Sequence, residues 1–96
     1  LTVRADQASY EIACGVIQRP TLPNPQLEAR QQAKWEVPAL QWADLSELDY
    51  GVSLLNDCKY GYDASPNQLR LTLLRAPTWP DPTADRGLHQ FSYALY

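Results

Sequence analysis

The run "LRLTLLR", Leu69 to Arg75, sets Leu69, Leu71 and Leu73 on one side of an extended chain and Arg70, Thr72 and Leu74 on the other. Period-two patterning of this kind suits a pleated strand with one buried face; a helix would scatter the leucines around its axis. The alternation recurs in "SYEIACGVIQR", where Tyr10, Ile12 and Cys14 share a side against Ser9 and Glu11. It returns in "LHQFSYALY", where His89, Phe91, Tyr93 and Leu95 fall together. Prolines fence these runs, eight of them in 96 residues. Pro20, Pro23 and Pro25 fall within six positions, and each removes a backbone donor and stops a helix or a central strand. Short alternating runs between proline-rich connections predict an all-β fold, an antiparallel β-sandwich-type domain.

The remaining segments fit that frame. "LTVR" reads as the tail of a strand, and Gly15 marks a candidate bulge in the run that follows. Gln26 to Ala33 has helical composition and room for a turn or two. "KWEVP" and "LQWADLS" are short strand candidates separated by Pro38, with Trp35, Val37, Leu40 and Trp42 as apolar anchors. Pro66 and Asn67 suit a tight reversal, and "APTWPDPTADRG" is a second proline-rich loop. Residues 1–96 are expected to form one domain, or part of one. The chain opens within a strand-like run without an initiator Met and stops on an apolar one, so a piece of a larger β-region is expected.

Charge removes two classes of partner. Eleven acidic residues against eight Lys and Arg give a net charge of −3, and the basic residues are scattered. Nucleic acid and anionic membrane surfaces need a concentrated positive patch, so neither is expected as a partner. No apolar run approaches the ~20 residues that span a bilayer. Cys14 and Cys58 suit free thiols in a reducing compartment better than a disulfide. With one His, no CxxC and no other cysteine pair, no metal site is expected from these residues.

Chemistry concentrates after the apolar strand "YGVSLL", where "NDCKYGYD" brings Asn56, Asp57, Lys59 and Tyr60 together ahead of Gly61. One reading is a turn, with Asn and Asp bonding their own backbone, Gly61 supplying conformational freedom and Lys59 pairing with Asp57. The other is a binding lip in which Asp57, Lys59 and Tyr60 reach outwards, the charged groups making hydrogen bonds about twice as strong as neutral ones. Arg75 offers a similar choice between clamping a sugar or carboxylate across an interface and closing an ion pair to Asp81 or Asp85. The Asp81–Asp85 stretch itself reads as a capped turn, with too few oxygen ligands for calcium. Most of the three Trp and six Tyr rings are expected in core and interface packing, Trp79 between its prolines being the surface ring.

Five segments, "CGVIQRPT", "WEVPALQWADLSE", "YGVSLLNDCKYGYD", "LRLTLLRAPTWPDPTADRG" and "HQFSYALY", occur in this order and spacing. Together they resemble the C-terminal β-region of glycoside hydrolase family 38 α-mannosidases, in the branch with bacterial and cytosolic members. The likeness runs from Ser9 to Tyr96. It implies a large parent with an N-terminal α/β catalytic domain, a helical bundle and then β-sandwich domains, in the cytoplasm, with room for a homo-oligomer. The parent removes α-linked mannose from oligosaccharides with retention, through an Asp nucleophile and a second carboxyl, a chemistry that places the pair ~5–5.5 Å apart. A divalent metal, zinc in most members, grips the sugar hydroxyls there.

None of those catalytic or metal-binding motifs is present in this sequence, and His89 matches no metal motif. No catalytic residue, metal ligand or cofactor is therefore assigned to the chain, and on its own it is expected to be inactive. Its implied partners are the parent's catalytic and helical domains and the mannose-containing oligosaccharide. Its candidate substrate-binding residues are Asp57, Lys59, Tyr60 and Arg75. The alternatives are an autonomous carbohydrate-binding module and a purely structural or oligomer-forming domain.

Overall fold

A computed structural model describes residues 1–22 and 36–96 of the chain. Among these residues it is all-β. Eight strands follow in order: β1 (Gln7–Ile12), β2 (Gly15–Pro20), β3 (Val37–Pro38), β4 (Trp42–Ser46), β5 (Gly51–Asn56), β6 (Gly61–Ser65), β7 (Gln68–Leu71) and β8 (Tyr93–Leu95). They form two sheets, one of five strands in the order β2-β1-β4-β5-β8 and one of three in the order β3-β6-β7. Every pairing is antiparallel. No helix among the described residues is long and apolar enough to cross a membrane.

The first hairpin corrects one expectation. The run Tyr10 to Ile17 is not a single strand with a bulge: Ile12 pairs with Gly15, and the chain reverses over Ala13 and Cys14. Cys14 takes a φ of 63°, a left-handed conformation that ends the alternation and leaves its thiol exposed. On β1 the inward set is Ala8 and Tyr10, while Gln7, Ser9 and Glu11 turn outward. Proline is tolerated at the end of β2 because that strand lies at the sheet edge, where an absent N–H breaks no ladder.

The β4–β5 hairpin behaves as its pattern requires. β6 corrects the sequence reading: residues 61–65, expected as the end of a polar lip and the start of a turn, form a strand with Tyr62 and Ala64 facing inward. Ala43 and Leu45 of β4 have no exposure, and Leu54 and Asn56 of β5 face the same way. Ser65 pairs with Gln68 across the Pro66–Asn67 reversal. Asp63 and Arg70, opposite each other on β6 and β7, form a 2.7 Å ion pair on the outer face. An exposed pair of this kind stabilises by at most about 1 kcal/mol. The Leu69–Arg75 run delivers less strand than its pattern suggests: β7 ends at Leu71. Only Thr72 N–H, donating to Gly61 O at 2.9 Å, continues the ladder. β6 begins at Gly61, so among the described residues Leu73 and Leu74 have no partner strand, and they are 39% and 48% exposed.

The core lies between the sheets. Tyr62 of β6 is fully buried and meets Tyr10 of β1 edge to face, with centroids 6.3 Å apart and planes at 63°. Ala8, Ala43 and Ala64 supply the small positions that such rings need to interdigitate. "LTVR" is extended but joins no ladder. It lies along the seam with Val3 fully buried, and Ala5 N–H donates to Pro66 O at 2.8 Å. Thr21, also buried, donates through its hydroxyl to Ala5 O at 2.6 Å and ties the end of β2 to the same segment. The helical composition of Gln26 to Ala33, and the anchor Trp35, lie outside the described residues.

Candidate functional site

Beside the short β3–β6–β7 sheet the chain leaves an open groove of about 820 Å³. That is the scale of a small-molecule cleft. Its sides come from three places: Glu36 to Pro38 entering β3, Lys59 to Gly61 entering β6, and Thr72 to Arg75 leaving β7. Asp85 of the proline-rich loop and His89 just beyond it complete it. β7 ends at Leu71, and beyond it the chain continues along the groove as a wall with no strand beside it among the described residues.

Asn56, at the end of β5, determines how the lip leaves the sheet. Its side chain is buried, and its Oδ1 accepts the backbone N–H groups of Cys58, at 3.0 Å, and Lys59, at 2.5 Å. Its Nδ2 donates to the Tyr62 hydroxyl, which in turn donates to Leu40 O at 3.4 Å. The turn is therefore fastened to the core ring that follows it in sequence. Ala39 N–H donates to Tyr60 O at 3.0 Å and sets the far side of the lip against β3. Gly61 sits at a close approach: a Cβ there would stand 2.6 Å from Glu36 Oε1 and 3.2 Å from Thr72 Cβ, so both side chains would have to shift. Those two side chains meet across it, Thr72 Oγ1 donating to Glu36 Oε1 at 2.6 Å.

Three of the four residues singled out from the sequence, Lys59, Tyr60 and Arg75, line the groove together. Lys59 does not pair with Asp57; its ammonium sits 5.1 Å from the centroid of the Phe91 ring. Tyr60 is 61% exposed and presents both ring and hydroxyl. Arg75 closes no ion pair to Asp81 or Asp85; Asp63–Arg70 is the salt bridge found among the described residues. Asp57 is not among the lining residues. Its carboxylate accepts the Ser92 backbone N–H at 3.0 Å, and its own N–H donates to Ser92 O at 3.3 Å, which fixes the approach to β8. That Ser92 bond first, and then the Cys58 thiol, hold the Asp57 carboxyl below its ordinary range, and the same contact raises the Cys58 thiol.

Sequence reasoning missed Glu36, Asp85 and His89 as groove residues. Asp85, at φ 60°, accepts Ala76 N–H on Oδ2 at 2.8 Å, and its carbonyl lies 2.6 Å from His89 Nε2. Both contacts depend on how the loop folds back, which no local pattern encodes. The Asp81 stretch is the capped turn its composition suggested, with Oδ1 accepting the Thr83 N–H and hydroxyl, each at 2.9 Å. Trp79 is the exposed ring between prolines, at 83%. Among the described residues no group of three or more His, Cys, Asp or Glu side chains is placed to hold a metal ion, so no chemistry is routed through one here.

Fold and groove together define an antiparallel two-sheet domain with an open, mixed-charge cleft beside its smaller sheet. The family model for the C-terminal domain of family 38 glycosyl hydrolases matches residues 1–83, and the chain belongs to that family. It is 53% identical over 93 residues to alpha-mannosidase 2C1 of Mus musculus, an alignment covering 97% of this chain and 9% of that protein. It is 49% identical over 94 residues to alpha-mannosidase G of Dictyostelium discoideum, covering 98% and 8%. With the alpha-mannosidase of Saccharomyces cerevisiae it shares 47% identity over 96 residues, covering 100% and 9%. The chain thus spans less than a tenth of the length of these curated relatives.

Proposed function

We propose that this chain is part of the C-terminal β-region of an α-mannosidase that releases terminal α-linked mannose from oligosaccharides with retention. In that parent it braces the catalytic domain and turns its groove towards the sugar. The nucleophile, the acid/base carboxyl and a divalent ion, zinc, belong to the catalytic and helical domains of the same polypeptide. The resemblance to the cytosolic branch supports a cytoplasmic location.

The observation that carries the proposal is the meeting of Lys59, Tyr60 and Arg75 along one open groove. An ammonium and a guanidinium supply donors for sugar hydroxyls, and the exposed Tyr60 ring supplies a flat apolar face with a phenol at its tip. Asp57 acts one step back, as a positioning residue that ties the lip to the chain entering β8. An autonomous sugar-binding module would be expected to show several exposed rings in a row. In the described residues Trp42 is half-buried. The exposed rings Tyr50, Tyr60, Trp79, Tyr93 and Tyr96, more than the sequence suggested, are spread over four segments with Tyr60 alone of them lining the groove, so the bracing role is favoured.

Substitution in the full-length parent tests this reading. Hydrogen bonds to charged groups are worth ~1.5–3 kcal/mol, so Lys59→Ala and Arg75→Ala should each lower kcat/KM on α-mannosides by roughly 10- to 100-fold. Tyr60→Phe should cost less. Unchanged kinetics in all three variants would remove the groove from the substrate site, and mannoside turnover by the 96-residue chain alone would overturn the division of labour.

A further inference from the structure

Directly opposed residues of neighbouring strands share a face, and β5 and β8 pair Leu54 with Leu95 and Asn56 with Tyr93. Leu54 and Asn56 are 7% and 8% exposed, covered by the body of the domain. One strand further out, on the same face, Tyr93 and Leu95 are 63% and 68% exposed. The five-stranded sheet therefore outruns the three-stranded sheet packed on it, and its inner apolar face emerges uncovered at β8. The backbone of β8 is open on the same side of the sheet. Tyr96 exchanges both its bonds with Ser53, and Ser92 is engaged by Asp57, so the N–H and C=O groups of Tyr93 and Leu95 point to the free edge.

We propose that this overhang is the docking place of another segment of the same parent polypeptide, an extended stretch with alternating apolar residues that covers Tyr93 and Leu95. The inference rests on the reading of the chain as one part of a longer family 38 enzyme. Two observations select this occupant over a second copy of the chain. The relatives that share about half of its residues carry more than ten times its length, so such a domain occurs with a great deal of further chain to supply a cover. The two side chains also offer only on the order of 250 Å² of surface, while a stable association between separate molecules needs about 800 Å² from each partner. A face of that size suits a strand held at high local concentration by its own polypeptide. The final strand is shorter than the run "LHQFSYALY" suggested, β8 spanning Tyr93–Leu95, and in the irregular stretch before it His89 lines the groove while Phe91 carries Lys59.

Photo-cross-linking in the full-length parent tests this directly, with p-benzoylphenylalanine introduced in place of Tyr93 and, in a second variant, in place of Leu95. The expected result is an adduct of monomer mass whose partner peptide, identified by mass spectrometry, lies outside these 96 residues. A dimer-mass adduct, a partner peptide within the 96 residues, or no adduct from either position overturns the proposal. Mannosidase activity of the same preparations separates the two readings. An active parent lacking the expected adduct sinks only the docking surface, and an inactive parent giving that adduct sinks only the proposed function.

Discussion

Two halves of one short loop behave in opposite ways. Asn56 and Asp57 spend their polar atoms on the protein itself, the first on two backbone N–H groups and the Tyr62 hydroxyl, the second on Ser92. Two residues on, Lys59 and Tyr60 line the groove, with the ammonium over the Phe91 ring. The turn and the binding lip are thus not rival descriptions of one feature. The buried half builds the turn, and the turn presents the exposed half. Perturbing the first should be read in stability, and perturbing the second in activity.

The largest stability effect is expected at the ring to which the buried half is fastened. Tyr62 has no exposure, and Tyr62→Ala should destabilise the chain by about 3–5 kcal/mol, as other aromatic truncations in cores do. Thermal unfolding should show this as a fall in Tm of roughly 12 °C or more. A change of only a few degrees would mean that the two sheets are held together elsewhere.

Alkali probes the same packing from the other side of the core. Burial, aided by the nearby Asp63 charge, pushes the Tyr10 hydroxyl from its ordinary 10 up to about 12, and burial also raises Tyr62. Because the folded state holds these protons more tightly than the unfolded chain, their contribution is intact below pH 10 and is lost as pH rises towards 12. Urea midpoints should fall between pH 9 and pH 12, and Tyr10→Phe should flatten that part of the slope. An unchanged slope in the variant would remove Tyr10 as the titrating group.

Asn56→Ala should come next, at roughly 1–3 kcal/mol, because it strips acceptors from the Cys58 and Lys59 N–H groups and a partner from the Tyr62 hydroxyl. Asn56→Asp keeps the acceptors and loses the donor, so the difference between the two variants in chemical denaturation separates the turn from its fastening to the core. Equal losses would place the whole effect at Tyr62.

Much of this was legible in the sequence because a strand buried on one face must alternate, and it was legible no further than that rule reaches. The β-class, the Pro66–Asn67 reversal and the inward set of β7 follow from pattern, whereas β6 forms from residues that the sequence suggested as a polar lip and a turn. The β1–β2 hairpin did not, because Ala13 and Cys14 carry none of the usual turn chemistry and the alternation passes through them in register. Leu73 and Leu74 continue a perfect strand pattern, yet strand structure needs a neighbour, and whether one exists is a fact of topology. For the groove, Lys59, Tyr60 and Arg75 were visible as polar residues at the ends of apolar runs. Glu36, Asp85 and His89 join them through long-range folding, and no spacing among them announces it.

The smallest stability effects belong to the exposed half. Lys59→Ala removes a cation from the Phe91 face, worth about 0.5–1 kcal/mol at an exposed site. Arg75→Ala, at an exposed position without an ion pair in the described structure, should stay within about 0.5 kcal/mol of the unaltered protein. These are the same substitutions expected to reduce mannoside turnover in the parent, and the contrast is the point of measuring both quantities on one preparation. If Arg75→Ala unfolds the domain as readily as Asn56→Ala, the guanidinium is part of the scaffold and its position on the groove is incidental. If stability holds while kcat/KM drops, the division between a buried half that builds and an exposed half that binds extends from the lip to the opposite wall of the groove.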